Sequence, residues 1–264
     1  MSITGRGADS YLQSLFRFAY KDSSVTSYNL IWPVVGLARP QFRDINSPDY
    51  MQFASSNAAD TASGDGMRKI RFRGIGENWT PVTDEVWLNG TTPVTGNYKM
   101  QRVIQMWGLR TGTSESNVGS IFAGHGVWSS NGRPSNIWNT IVPGEGQTFY
   151  GAGHIPQTID VHVHNYDFQT GRTGGGQDVL ATFRLRYRQI YGQQVGSFEY
   201  GPWRTRVIGS TIDTFRYQTD LDEFILSGPC DIYGEGFTSA AGTRLTVALG
   251  SELHTRFQDR FPTG

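Results

Sequence analysis

Asp160, His162 and His164 alternate along one segment, and of all the side chains in this 264-residue sequence they come nearest to a metal-ligand set. Imidazole and carboxylate suit zinc, iron or nickel. On a strand, positions i, i+2 and i+4 project to one face. Three copies around a threefold axis could bring such His-x-His strands to a single metal. The competing account is the polar face of a sheet, because Ile159, Val161 and Val163 alternate with these residues. The alternation favours that account, so no metal and no other cofactor is expected. If the next strand formed a hairpin with this one, Arg184 and Arg186 would share its polar face, oppose a bound cation and give Asp160 an ion-pair partner. His125 and His154 stand beside glycines and are expected at the surface.

Two basic runs could meet anions. Arg184, Arg186 and Arg188 form one stripe; Arg68, Lys69, Arg71 and Arg73 form the other. Arginine suits carboxylate or phosphate. In a chain with 23 basic and 23 acidic residues, a solvated or subunit-contacting face is expected rather than a nucleic-acid site. Asp84 with Glu85, and Asp220 with Asp222 and Glu223, are the candidate carboxylate pairs of a glycosidase. Neighbours on a strand point to opposite faces, and the second group reads as a turn, so no catalytic residue and no enzyme is expected. Gly174–Gly176 lacks the Lys-Ser/Thr and helix of a phosphate loop. Trp128 and Trp138 flank the polar segment Ser129–Pro134 and are the candidate glycan contacts; the other tryptophans are expected as core or interface anchors.

The elements that must carry these residues are strands. Charged residues are only 17% of the chain, against about 25% on average. With zero net charge there is no general pull toward nucleic acid or an anionic membrane, and little self-repulsion against assembly. There are 33 glycines and one cysteine, Cys230, so no internal disulfide is possible. No apolar run reaches the roughly 20 residues of a membrane span, no secretory signal is read, and folding in a cytosol is expected. Apolar and polar residues alternate at 69–74, 82–88, 98–109, 159–164 and 181–188, with turns such as Asn89-Gly90 between them. Strands about every ten residues, without a helical period, predict an all-β protein of jelly-roll-like sandwich units. The expected division is an irregular N-terminal arm at 1–45, lying on a neighbouring subunit, a first β-unit at 46–145 and a second at 146–264, with one continuous β-domain as the alternative to two units.

Three motifs carry a resemblance. A small-residue loop leads into Gly64-Asp65-Gly66-Met67-Arg68; Glu85-Val86-Trp87-Leu88-Asn89-Gly90-Thr91 follows; then comes Asn117-Val118-Gly119-Ser120-Ile121. Over about residues 45–123 the chain resembles a β-rich virion structural protein family of tailed phages, of the marine and cyanobacterial type. The second half, with Ile141–Thr148 before a β-unit, is similar but looser. The resemblance implies a non-enzymatic virion protein made in the host bacterial cytoplasm. It would be a capsid decoration or spike component that forms a homotrimer and binds the major capsid protein or other virion proteins, with no direct nucleic-acid or membrane partner. A tail or neck component, and a host-glycan-binding module, are the alternatives.

Overall fold

The computed structural model describes residues 19–23, 29–30, 48–149, 152–155, 159–172, 179–191, 194–195, 199–208, 213–218, 225–239 and 243–255. Among these the protein is all-β, built of antiparallel sheets packed against each other as a sandwich. The strands are β1 (Ala19–Ser23), β2 (Asn29–Leu30), β3 (Asp49–Ser55), β4 (Met67–Gly76), β5 (Pro81–Trp87), β6 (Val94–Thr111), β7 (Ile121–Trp128), β8 (Pro134–Ile141) and β9 (Ala152–Ile155). They continue as β10 (Ile159–Arg172), β11 (Val179–Tyr191), β12 (Gln194–Val195), β13 (Glu199–Ile208), β14 (Asp213–Gln218), β15 (Ile225–Ser227), β16 (Cys230–Thr238) and β17 (Thr243–Thr255). Chain contacts divide the protein into two compact units: Val34–Phe149, and the remainder, Met1–Pro33 with Tyr150–Gly264.

The unit Val34–Phe149 is one six-stranded sheet in the order β5-β4-β6-β3-β7-β8. Its long strand β6 takes part in two layers. Val94–Met100 pairs with β3, whereas Met100–Thr111 pairs with β4. The strict two-residue alternation expected over 98–109 does not hold. Gly74 faces Val103, and Gly76 faces Met100, with register shifts on either side of the Gly74–Ile75 pairs. Each shift adds a residue to β6, which bends the strand and raises its twist. Residues 100–104 are consequently all buried; the hydrophobic cluster takes Met100, Val103 and Met106, three residues apart, while Arg102, paired with Ile75, is fully buried outside that cluster. The bend brings the layers together. Phe53 of β3 and Phe72 of β4 have ring centroids 4.5 Å apart, and Asn139 Nδ2 of β8 donates to the Val103 carbonyl at 3.0 Å. Met51, Met67, Ile70, Val86, Leu88, Ile121, Ala123, Trp138 and Ile141 complete this core.

The other unit holds two sheets. One has the order β1-β17-β10-β14, with β15 also on β10; the other runs β12-β11-β16-β2, with β13 on β11 and β9 on β16. Residues 19–23 and 29–30, expected within an arm, pair in register with β17 and β16. Residues 1–18 and 31–47 lie outside the described residues. Ala181, Phe183 and Leu185 are buried on one side of β11, while Arg184, Arg186 and Arg188 alternate with them, as the sequence pattern predicts. Ile155, Val161, Leu226 and Ile232 are buried in the same unit.

Candidate functional site

The segment 54–66 reads in the sequence as a small polar loop. Folded, it is built around one buried carboxylate. Asp60 is 0% exposed. Its Oδ1 accepts from the backbone N–H of Met67 at 2.7 Å and of Val118 at 2.9 Å. Its Oδ2 accepts from the Gly119 N–H at 2.8 Å and from the Ser55 hydroxyl at 2.5 Å. The Asp60 carbonyl in turn accepts the Gly90 N–H at 2.9 Å. All three motifs therefore meet at this residue. Two glycines are fixed by the close approach. A Cβ on Gly66 would lie 2.1 Å from Asp60 Oδ1, and Gly90 has φ +59° with its Cβ position 3.0 Å from the Ala58 Cα. Asn117 extends the cluster: its Nδ2 donates to the carbonyls of Gly119 and Val142, and its Oδ1 accepts the Gly146 N–H. The sequence signal for Asp60 was weak, since it is one of two aspartates, with Asp65, in a run of small residues.

The arginine stripe of β11 is paired. Glu235 of β16, directly opposite Arg184, accepts from Arg184 Nε at 2.9 Å and from Arg186 Nη1 at 3.0 Å. Arg188 Nε donates to Asp231 Oδ2 at 3.0 Å, and Asp231 Oδ1 lies 2.9 Å from His154 Nδ1. Burial opposes the Arg188 charge, but Tyr233 and Asp231 outweigh it and hold the guanidinium above its ordinary range. Two expectations are corrected. β10 and β11 form no hairpin, because they belong to different sheets; Arg184 and Arg186 therefore find Glu235 rather than Asp160. His154 is not a surface residue but is 0% exposed, because β9 pairs with β16 and sets it beside Asp231.

Of the candidate ligand set, Asp160 is half-buried, opposite Ser227 and His254. The side chains of His162 and His164 lie outside the described residues. The backbone register of β10 shifts between Val163 and Asn165, at His164, which interrupts the alternation on which a single ligand face rested. Among the described residues no group of three or more His, Cys, Asp or Glu is placed to hold a metal. Asp220, Asp222, Glu223 and Gly174–Gly176 are outside the described residues. Asp84 and Glu85 diverge: Asp84 accepts from Asn97, and Glu85 from Lys69 and Arg71. Trp138 is fully buried in the core and cannot contact a glycan, which corrects that assignment. Trp128 is half-buried, its indole N–H donating to Gln52 Oε1 at 2.8 Å.

A surface missed in the sequence lies on the outer side of β5, β4 and β6. Register places Lys69 between Trp87 and Arg110, and in the next row Arg71 between Glu85 and Trp107. The Lys69 ammonium is 5.3 Å and the Arg110 guanidinium 5.8 Å from the Trp87 ring centroid. Arg71 and Arg73 approach Trp107 at 6.0 and 5.1 Å. Such contacts hold a cation over an aromatic face. Trp87 remains 45% exposed. Hydrogen bonds from Lys69 first, then Arg71, hold the Glu85 carboxyl below its ordinary range. The signal was there, since Trp87 and Trp107 sit in alternating strands, but only strand pairing brings them to the basic run.

No family model matches the chain, and neither a curated protein nor a solved structure does.

Proposed function

We propose that this is a non-enzymatic structural protein of a tailed-phage virion, a capsid decoration or spike component that assembles as a homotrimer on the capsid surface. The observation that carries the proposal is the convergence on Asp60. The three motifs through which the sequence resembles that virion family supply the carboxylate, the glycines and the backbone donors of one buried cluster. These residues fix a rigid β-platform, as a particle-building part requires, and the cluster offers no exposed nucleophile or base. The ion pairs of Glu235 and Asp231 serve the other unit in the same way. Low charge density, with exposed Tyr50 and Tyr98 available for burial, suits self-association.

The test has two parts. The mass of the purified protein in solution is expected to be that of a trimer. In a particle preparation it is expected to co-sediment with capsids and to appear in a reconstruction on the capsid surface. A compact monomer that never co-sediments with particles overturns the proposal. Density at the neck or tail replaces the capsid placement with the tail-component alternative.

A further inference from the structure

We infer that the outer face of β5, β4 and β6 is a binding surface for an acidic polysaccharide, a polymer of sugars bearing carboxylates. The inference does not depend on where the protein sits in a particle. Trp87 and Trp107 occupy diagonal corners of the face, one residue row and two strands apart. Ordinary sheet spacings put their backbones about 12 Å apart, with Lys69 and Arg71 of β4 running between them. An exposed indole face is apolar and broad enough to cover the C–H side of a pyranose chair. The cations give charge complementarity. Among the described strand partners of Lys69, Arg71 and Arg73, Glu85 is the one carboxylate, and Arg110 adds a fourth cation, in a protein whose net charge is zero.

Glu85 decides the kind of polyanion. It sits on the edge strand β5, 31% exposed, with Lys69 and Arg71 of the central strand β4 on it. A sugar hydroxyl can donate to such an acceptor, while the sugar carboxylate takes Arg110 or Arg71. A DNA phosphodiester backbone has no donor to offer Glu85 and would meet it as a like charge. Mixed donors and acceptors beside the exposed Trp87 and the half-buried Trp107 fit a hydroxyl-rich, carboxylate-bearing chain better than a strand of phosphates.

The probes are polygalacturonate, neutral dextran and an oligo-dT strand, titrated against the full chain and read by tryptophan fluorescence and calorimetry. Polygalacturonate is expected to bind, and to bind more weakly as salt rises, because the cations are exposed. Trp87→Ala is expected to weaken it by about fivefold or more, the scale of one lost stacking contact. Arg110→Ala is a second variant at an exposed position, also expected to weaken it. Far-UV circular dichroism checks that both remain folded, and Val127→Ala, exposed on β7 outside this face, is expected to leave affinity unchanged. The inference is overturned by absence of polygalacturonate binding, by equal binding of dextran, by oligo-dT binding as tightly or more tightly, or by full affinity in a folded Trp87→Ala protein.

Discussion

Replacing Asp60 separates a structural hub from a decorative acid. The carboxylate accepts four hydrogen bonds, three from backbone N–H groups and one from the Ser55 hydroxyl. Asp60→Asn keeps the shape but turns one acceptor oxygen into a donor. With the amide nitrogen at the Oδ1 position, both Met67 and Val118 would face it donor to donor. At the Oδ2 position only Gly119 would, since the Ser55 hydroxyl can rotate and accept. The second arrangement is the less costly. It leaves one buried N–H unmet, at about 1–3 kcal/mol, and removes charge assistance from the remaining bonds, for about 2–4 kcal/mol in all. Asp60→Ala orphans all three N–H groups and is expected to cost about 4 kcal/mol or more, a large part of the 5–15 kcal/mol that typically holds a domain together. With two compact units, one global unfolding free energy is poorly defined. The suitable assay is amide hydrogen exchange at Met67, Val118 and Gly119. Protection there is expected to fall by roughly 30- to 1000-fold in Asp60→Asn and further in Asp60→Ala. Equal, sub-kilocalorie effects of both variants, or unchanged protection at the three amides, would refute the reasoning.

Other outcomes follow from the same geometry. Gly66→Ala places a methyl group against Asp60 Oδ1 and is expected to destabilise by about 1–3 kcal/mol, seen as a lower melting temperature. Trp138→Ala empties a fully buried site in the core and should cost about 3–5 kcal/mol, whereas Trp87→Ala should change stability by about 0.5 kcal/mol or less; chemical denaturation of the two variants side by side checks the contrast. Glu235→Gln removes the charge shared by Arg184 and Arg186, whose side chains are 16% and 19% exposed. A loss of about 2 kcal/mol is expected, below the range for a wholly buried pair because of solvent screening, and a denaturation midpoint at neutral pH measures it. The Glu85 carboxyl is depressed from 4.5 in the folded protein, so its stabilisation is fully present above that value and disappears as pH falls through the folded value. The stability difference between the native protein and Glu85→Gln should be flat above about pH 4.5 and shrink below it; a pH-independent difference would contradict the pairing.

Strand periodicity alone fixed the all-β class and the two-sided character of β4 and β11, because a side-chain period of two shows directly which residues share a face. Ile70 and Phe72 against Lys69, Arg71 and Arg73, and Phe183 and Leu185 against the three arginines, needed no further information. Glycines beside Asp and Asn likewise marked turns. Pairing was not legible, because nothing local states which strand lies beside which. For that reason Glu235, rather than Asp160, meets Arg184, and His154 is buried beside Asp231. Bulges were not legible either: two added residues in β6 put Val103 into the hydrophobic cluster and left Arg102 fully buried outside it. Asp60 stands among alanines, serines and glycines, and nothing at its own position indicates that the N–H groups of Met67 and of the distant Val118 and Gly119 will turn toward it. Local sequence determined what each strand offers to either side. Only the tertiary structure decided which offers meet, because hydrogen bonds and ion pairs depend on distance in space, and that distance is set by sheet order and register.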